Sequence, residues 1–205
     1  MSNCNEFTTY LTIDRPTVAE FKDRGSKFLA HAYQIENTAD FKKIMQQLRK
    51  EHPKAVHHCF AYRLGTDNNS FRASDDGEPS GTAGRPILGQ IDSRQLTNVL
   101  VVVVRYFGGS LLGVPGLINA YKMATSMALQ LTTISHKPIV VKYDIEFDYT
   151  RLNDVMQVMK SGHCEILTRD IQLFCRITVA IPKAQLEEVI SALDEINGVK
   201  FSVIN

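Results

Sequence analysis

The chain has 205 residues, 44% hydrophobic and 22% charged, which suits a folded core and excludes disordered, collagen-like and disulfide-scaffold classes. Twenty-three Lys and Arg against 22 Asp and Glu leave a net charge of +1, so no global field draws the chain to nucleic acid. The longest apolar run, Val99 to Val104, is only strand-sized, and the start Met1-Ser2-Asn3-Cys4-Asn5-Glu6 lacks the zones of a signal peptide; a cytoplasmic protein with no membrane contact is expected.

In chain order, Phe7 to Ile13 and Lys27 to Gln34 read as strands, the second following an Arg24-Gly25-Ser26 turn. Thr38 is placed to cap a helix with Phe41, Ile44, Met45 and Leu48 on its apolar face, stopped by His52-Pro53. His57 to Leu64 reads as a strand, and a short helix over Pro86 to Ile91 begins near Gly81-Thr82. Asn98 to Tyr106 has the continuous apolar run of a central strand buried on both faces. Leu112 to Thr132 reads as a helix, and a boundary at Ser135-His136-Lys137-Pro138 divides the chain into domains 1–135 and 137–205.

Beyond the boundary, Tyr143, Ile145, Phe147 and Tyr149 alternate with polar residues in a half-buried strand. Thr150 can cap a helix carrying Leu152, Val155, Met156 and Met159, which Gly162 stops. Cys164, Ile166 and Thr168 alternate, Arg169-Asp170 marks a tight turn, and Leu173, Cys175, Ile177, Val179 and Ile181 form a period-two run. Pro182 opens a helix with Leu186, Val189, Ile190 and Leu193, ended by Asn197-Gly198, and Val199, Phe201 and Val203 close with a strand. The order β-α-β-β-α-β is the ferredoxin-like pattern, so the chain is an α+β protein of two domains.

Charge and glycine both point to the first domain. Up to His136 there are 15 basic and 12 acidic side chains, and from Lys137 onward 8 and 10. The four cysteines form no C-x-x-C pair, and Cys164 and Cys175 read as buried thiols. Eight of the 12 glycines fall between positions 77 and 116, six of them in two clusters that each lead into a helix: Asp75 to Arg85, and Arg105 to Gly113. Backbone N–H groups at such helix starts, beside Arg85 or Arg105, make a cradle for phosphate; otherwise the glycines only shape tight connections. Neither cluster is a dinucleotide or P-loop motif.

Asp75, Asp76 and Glu78 could hold Mg²⁺, although such residues are more often turn formers, and a salt bridge from this loop to Arg72, Arg85 or Arg105 would be architectural. His57-His58-Cys59 puts His57 and Cys59 on one strand face, but nothing supplies the geometry of Cys–His catalysis. No recognised catalytic constellation is present, and no cofactor is expected. The second domain does not read as an RNA-recognition module: Phe174 is the one aromatic on the polar face of its strand, and Asp144, Glu146 and Asp148 on the neighbouring strand would repel phosphates.

The run from Ser74 to Pro86, SDDGEPSGTAGRP, together with Val103 to Gly109, VVRYFGG, and Leu112-Gly113, resembles the IMPACT family and, within it, the bacterial YigZ-like proteins. Ser26 to Ala30, His57-His58-Cys59 and Ala120-Tyr121 fit the same pattern, so the likeness spans about residues 16 to 132. The resemblance implies a first domain like the βαβ fold of a small-subunit ribosomal protein and of the tip of elongation factor G. It implies a second domain like that factor's ferredoxin-like carboxy-terminal domain. Eukaryotic relatives regulate translation by competing for a partner of a stress kinase, using an additional amino-terminal domain, so that role is not carried over. RNA or ribosome association follows by fold analogy.

The leading reading is therefore a translation-linked regulatory protein that binds RNA or the ribosome without catalysis and without DNA sequence specificity. Lys27, Arg72, Arg85 and Arg105 would meet phosphates, Gly81, Thr82, Gly108 and Gly109 would present backbone donors, and Tyr106 or Phe107 would stack on a base. One alternative is a small Mg²⁺-dependent enzyme acting on a phosphorylated metabolite or nucleotide through Asp75, Asp76 and Glu78. Another is a protein–protein adaptor whose second domain presents a sheet edge to a protein partner.

Overall fold

The computed structural model describes residues 8–66 and 70–204; Phe7, Cys4 and the rest of the chain's start, named above, lie outside that range. Two compact units emerge, one of Tyr10–Lys137 and one that takes up the chain from Pro138. Among the described residues no helix is long and apolar enough to cross a membrane.

The first unit runs β1 (Thr9–Ile13), β2 (Thr17–Asp23), β3 (Ser26–Gln34), α1 (Thr38–Glu51), β4 (His57–Leu64), β5 (Ser70–Ser74), α2 (Gly84–Asp92), β6 (Val99–Tyr106), α3 (Gly113–Gln130) and β7 (Ile134–Pro138). Its main sheet has the order β2-β3-β6-β4-β5 with every neighbour antiparallel, while β1 and β7 pair separately. Because β6 is antiparallel to both β3 and β4, those two strands are parallel across it, and β3-α1-β4 is a split βαβ unit.

β6 is apolar from Val99 to Val104 because helices cover both its faces. Leu100, Val102 and Val104 pack with Phe41, Met45 and Leu48 of α1. Val99, Val101 and Val103 meet Ile87 and Ile91 of α2 and Leu117, Ala120 and Ala124 of α3. At roughly 1.5–3 kcal/mol per buried Val or Leu side chain, this strand is the main anchor of the unit.

Local chemistry departs from the sequence reading in three places. Asn37, not Thr38, caps α1: its side chain accepts from the Ala39 and Asp40 amides, and Asp40 reaches back to close a capping box. α2 begins at Gly84 rather than near Gly81-Thr82, because Asp75 holds residues 81–84 in a turn. Strands β2, β5 and β7 are not among the predicted elements, and β7 runs through the expected boundary at Ser135-His136-Lys137-Pro138. β2 turns into β3 through Arg24 and Gly25, both at positive φ, and β5 is an exposed edge defined only by its ladder to β4.

The second unit runs β8 (Val140–Asp148), a 3₁₀ turn (Tyr149–Arg151), α4 (Leu152–Ser161), β9 (Glu165–Asp170), β10 (Phe174–Pro182), a 3₁₀ turn (Lys183–Gln185), α5 (Leu186–Asp194) and β11 (Lys200–Ile204). The antiparallel order β11-β8-β10-β9 is that of a ferredoxin-like fold, with Ile145, Ile177, Val179, Val155, Met159 and Leu193 in its core.

Four details differ from expectation. Asp148, not Thr150, caps the first turn, accepting from the Thr150 amide. Arg169 and Asp170 stay in β9, paired with Ile177 and Arg176, and the turn falls at 171–173. Leu173 sits in that turn, 74% exposed. Pro182 ends β10, with the 3₁₀ turn before the helix. In each case a cross-strand partner or a neighbouring cap overrides the local signal.

Candidate functional site

The first glycine-rich segment leaves β5 and folds over the end of β4, beside β6, on the side of the sheet that α2 and α3 cover. Strand register puts His57 opposite Arg105 and Cys59 opposite Val103. Glu78 descends from the loop into this corner, its side chain 3% exposed. Its Oε1 accepts from Arg105 Nη1 at 2.5 Å and from Tyr121 Oη at 2.7 Å, and His57 Nε2 lies 3.9 Å away. Arg105 lies over the rings of Phe28 and Phe107, 5.4 and 5.8 Å from their centroids. This is a buried ion pair sandwiched by aromatics, and its geometry ties the loop to the central strand.

The remaining loop acids have separate duties. Asp75 accepts from the Gly81 amide through Oδ2 and from the Ala83 and Gly84 amides through Oδ1, all at 2.8–2.9 Å. Partial burial pushes its carboxyl up, but the amides of Gly81, Gly84 and Ala83, with Arg85 nearby, outweigh this and hold it below the ordinary range. Asp76 accepts from the His58 amide at 2.7 Å and from Arg49 at 2.8 Å. The His57 Nδ1–H donates to the Asp76 carbonyl at 2.7 Å. The three carboxylates thus point to different partners, and among the described residues no group of His, Cys, Asp or Glu is arranged to hold a metal ion.

Cys59 completes the corner. Its thiol donates to the Asp75 carbonyl at 3.0 Å and sits 3.2 Å from Tyr121 Oη. Burial pushes the thiol up to about 12; the Tyr121 hydrogen bond opposes this, and the nearby carboxylates reinforce it. It is therefore a neutral donor rather than a nucleophile. Burial likewise raises Tyr121, with Cys59 and Glu78 adding to it, so its hydroxyl keeps its proton.

Two glycines are required here. Gly77 has φ +91°, and a Cβ there would also meet the His57 ring at 3.4 Å. A Cβ on Gly108 would fall 1.9 Å from the Gly25 carbonyl carbon, so the second loop crosses the β2–β3 turn backbone to backbone. The Gly108 amide donates to Ser26 Oγ there at 3.1 Å.

Several residues predicted to meet phosphate are therefore spent internally. The Gly81 amide serves Asp75, and both the amide and the hydroxyl of Thr82 donate to the Pro79 carbonyl. Gly108 serves Ser26, and Arg105 is bound to Glu78. For Gly81 and Arg105 the partner is a carboxylate built into the fold, which occupies the donor without the entropy cost of capturing an anion from solution. Tyr106 points to the α1 side of the sheet and pairs with His52 Nδ1 at 2.8 Å. Lys27 reaches Glu20 at 2.6 Å. Arg72 is exposed, its guanidinium over Phe41 and Phe60. Arg85, Phe107 and Gly109 line the outer surface of the two loops.

Sequence reasoning missed Tyr121 as a member of this network. The available signal was a single hydroxyl-bearing aromatic among Leu117, Ala120, Ala124 and Ala128 on the buried face of α3. It also missed Ser26 and Arg49, whose partners are remote in sequence.

A family model described as the Impact N-terminal domain matches residues 24–129, which contain the whole network. A Haemophilus influenzae "IMPACT family member" is 35% identical over 188 residues, covering 91% of each chain. "IMPACT family member YigZ" of Escherichia coli is 36% identical, covering 82% of this chain and 81% of its own. A crystal structure titled only as that of a hypothetical protein superposes with a TM-score of 0.77 at 30% identity, covering 97% of this chain and 98% of the other.

Proposed function

The chain belongs to the IMPACT family, and from that premise we propose that it is a translation-linked, non-catalytic protein that binds RNA or the ribosome through its first unit. The observation that carries this reading is the internal lock. Glu78, Arg105 and Tyr121 hold the glycine-rich connection rigid from beneath, and Asp75 fills the start of α2. What the connections turn outward is a cation, Arg85, and an aromatic, Phe107, which is 49% exposed. A guanidinium for phosphate and a ring for a base are the two contacts that single-stranded nucleic acid uses most. Gly109, where a Cβ would meet nothing within 4 Å, leaves room for close approach of a ligand's backbone. Lys27 is held by Glu20 and Arg72 lies on the α1 side of the sheet, so Arg85 is the cation of this surface, while Arg105 acts from below as a positioning residue.

The second unit's open sheet face suits this role less. Glu146 already holds Arg176, Asp144 accepts from Thr178, and Asp148 caps a turn. The translation link itself rests on the family likeness carried by the two glycine-rich motifs.

The test is ribosome co-sedimentation and an RNA gel shift across a salt series, for wild type and for Arg85→Ala/Phe107→Ala. Arg85 is exposed, and Phe107→Ala leaves Phe28 over Arg105, so the variant should stay folded, as checked by thermal melting. Salt-sensitive wild-type binding that the folded variant loses supports the reading; no wild-type binding at low salt overturns it.

A further inference from the structure

We infer that the exposed flank of α1 is a second nucleic-acid surface, one that holds the phosphate backbone of RNA; this rests on the reading just given and adds a contact that the glycine-rich loops do not supply. Lys42, Lys43, Lys50 and Lys54 are all exposed. Among the described residues none of the four has a carboxylate oxygen within 4.0 Å, whereas Lys22, Lys27, Arg49 and Arg105 do. Lys43 and Lys50 are two turns apart, roughly 10 Å along one side of the helix. Gln46 and Gln47 lie between them, lining with both lysines and Glu51 a shallow groove of 420 Å³. Two acids share this flank: Glu51 accepts from Gln47 Nε2 at 2.7 Å, and Asp40, one turn before Lys43, accepts from the Glu36 and Asn37 amides. On the same side of the sheet, Arg72 of β5 is exposed with its guanidinium over Phe41 of α1.

The chemistry of the flank selects its partner. Phe41, Met45 and Leu48 on the other side of α1 are buried against the sheet, so the helix has no apolar face to insert into a bilayer. A protein interface would need aromatic or aliphatic anchors and would be poor in lysine. Lys43 and Lys50 with the amides of Gln46 and Gln47 between them, flanked by Lys42 and Lys54, match a row of phosphates, which asks for charge and hydrogen bonds but no shaped pocket. The net charge of +1 for the whole chain does not show this local group of lysines.

The experiment measures anisotropy of a fluorescein-labelled oligouridine across a KCl series, with the full chain, Lys43→Gln/Lys50→Gln, and Arg85→Ala. Both lysines are exposed, and glutamine keeps helix propensity, so the double variant should fold normally, as checked by melting. The expected result is binding about tenfold weaker for the lysine variant, with the slope of log affinity against log salt shallower by about 1.4, the share of two phosphate contacts on a single strand. Wild-type affinity and slope in that variant, with Arg85→Ala weakened, would overturn the inference and leave the RNA reading standing. No wild-type binding at low salt would overturn both. Displacement of the RNA by poly-glutamate of equal charge at equal concentration would also overturn it, by reassigning the flank to an acidic protein.

Discussion

Replacing Glu78 with alanine removes the counter-charge of Arg105, whose side chain is 7% exposed and cannot shed its proton. The Tyr121 hydroxyl loses its acceptor in the same step. Stranding one member of a buried pair costs about 3–5 kcal/mol. Taking about 4 kcal/mol, and about 2–4 °C per kcal/mol for a chain of this size, the first unit should melt about 12 °C lower. Because two units unfold, segment-resolved hydrogen exchange is the better assay: amides of residues 75–84 should lose protection while those of β8 and β10 do not. The double variant Glu78→Leu/Arg105→Met removes both charges together and should recover most of the loss. A single variant that costs less than about 1 kcal/mol, or a double variant no better than the single, would refute the view of this pair as a mutually dependent lock.

Asp75→Ala should cost about 2 kcal/mol by freeing three amides at the start of α2, read as lost exchange protection at Ile87, whose amide bonds the Ala83 carbonyl. Gly108→Ala should cost at least about 3 kcal/mol through its backbone clash, whereas Gly109→Ala, strained only by φ +86°, should cost about 1 kcal/mol; equal melting temperatures would show that the loop crossing yields easily. His31 lies buried under the carboxy-terminal end of α1; burial pushes its pKa down to about 4, His52 and His58 reinforce this, and Glu51 opposes it. The unfolded chain then binds a proton near pH 6.5 that the folded unit refuses until about 4, so stability should fall by about 3 kcal/mol as pH drops through that window. His31→Gln should flatten this acid limb in urea titrations at a pH series, and an unchanged slope would place its origin elsewhere.

Much of the architecture is written in the order of the residues. Alternation in Cys175, Ile177, Val179 and Ile181 allows only a half-buried strand, and the unbroken Val99–Val104 run needs cover on both faces, which α1, α2 and α3 provide. The two glycine-rich motifs were legible as a place where backbone is crowded, and as the family's mark. The sequence also offered Arg105, with Arg72 and Arg85, as a partner for the loop acids, though not Arg49, which Asp76 takes.

Only the tertiary structure made that choice. Arg105 wins because strand register sets it beside His57 under the loop, while Arg72 is on the α1 side of the sheet and Arg85 at the exposed start of α2. The amides that looked ready for phosphate are filled by Asp75, 6 to 9 residues upstream, because a turn brings its carboxylate to them. Tyr121, 43 residues from Glu78, enters the network through helix packing alone. Periodicity records which face of an element is buried, since burial follows side-chain polarity one residue at a time. Which polar groups satisfy one another depends on contacts across the sheet and between layers, and spacing along the chain carries no trace of those.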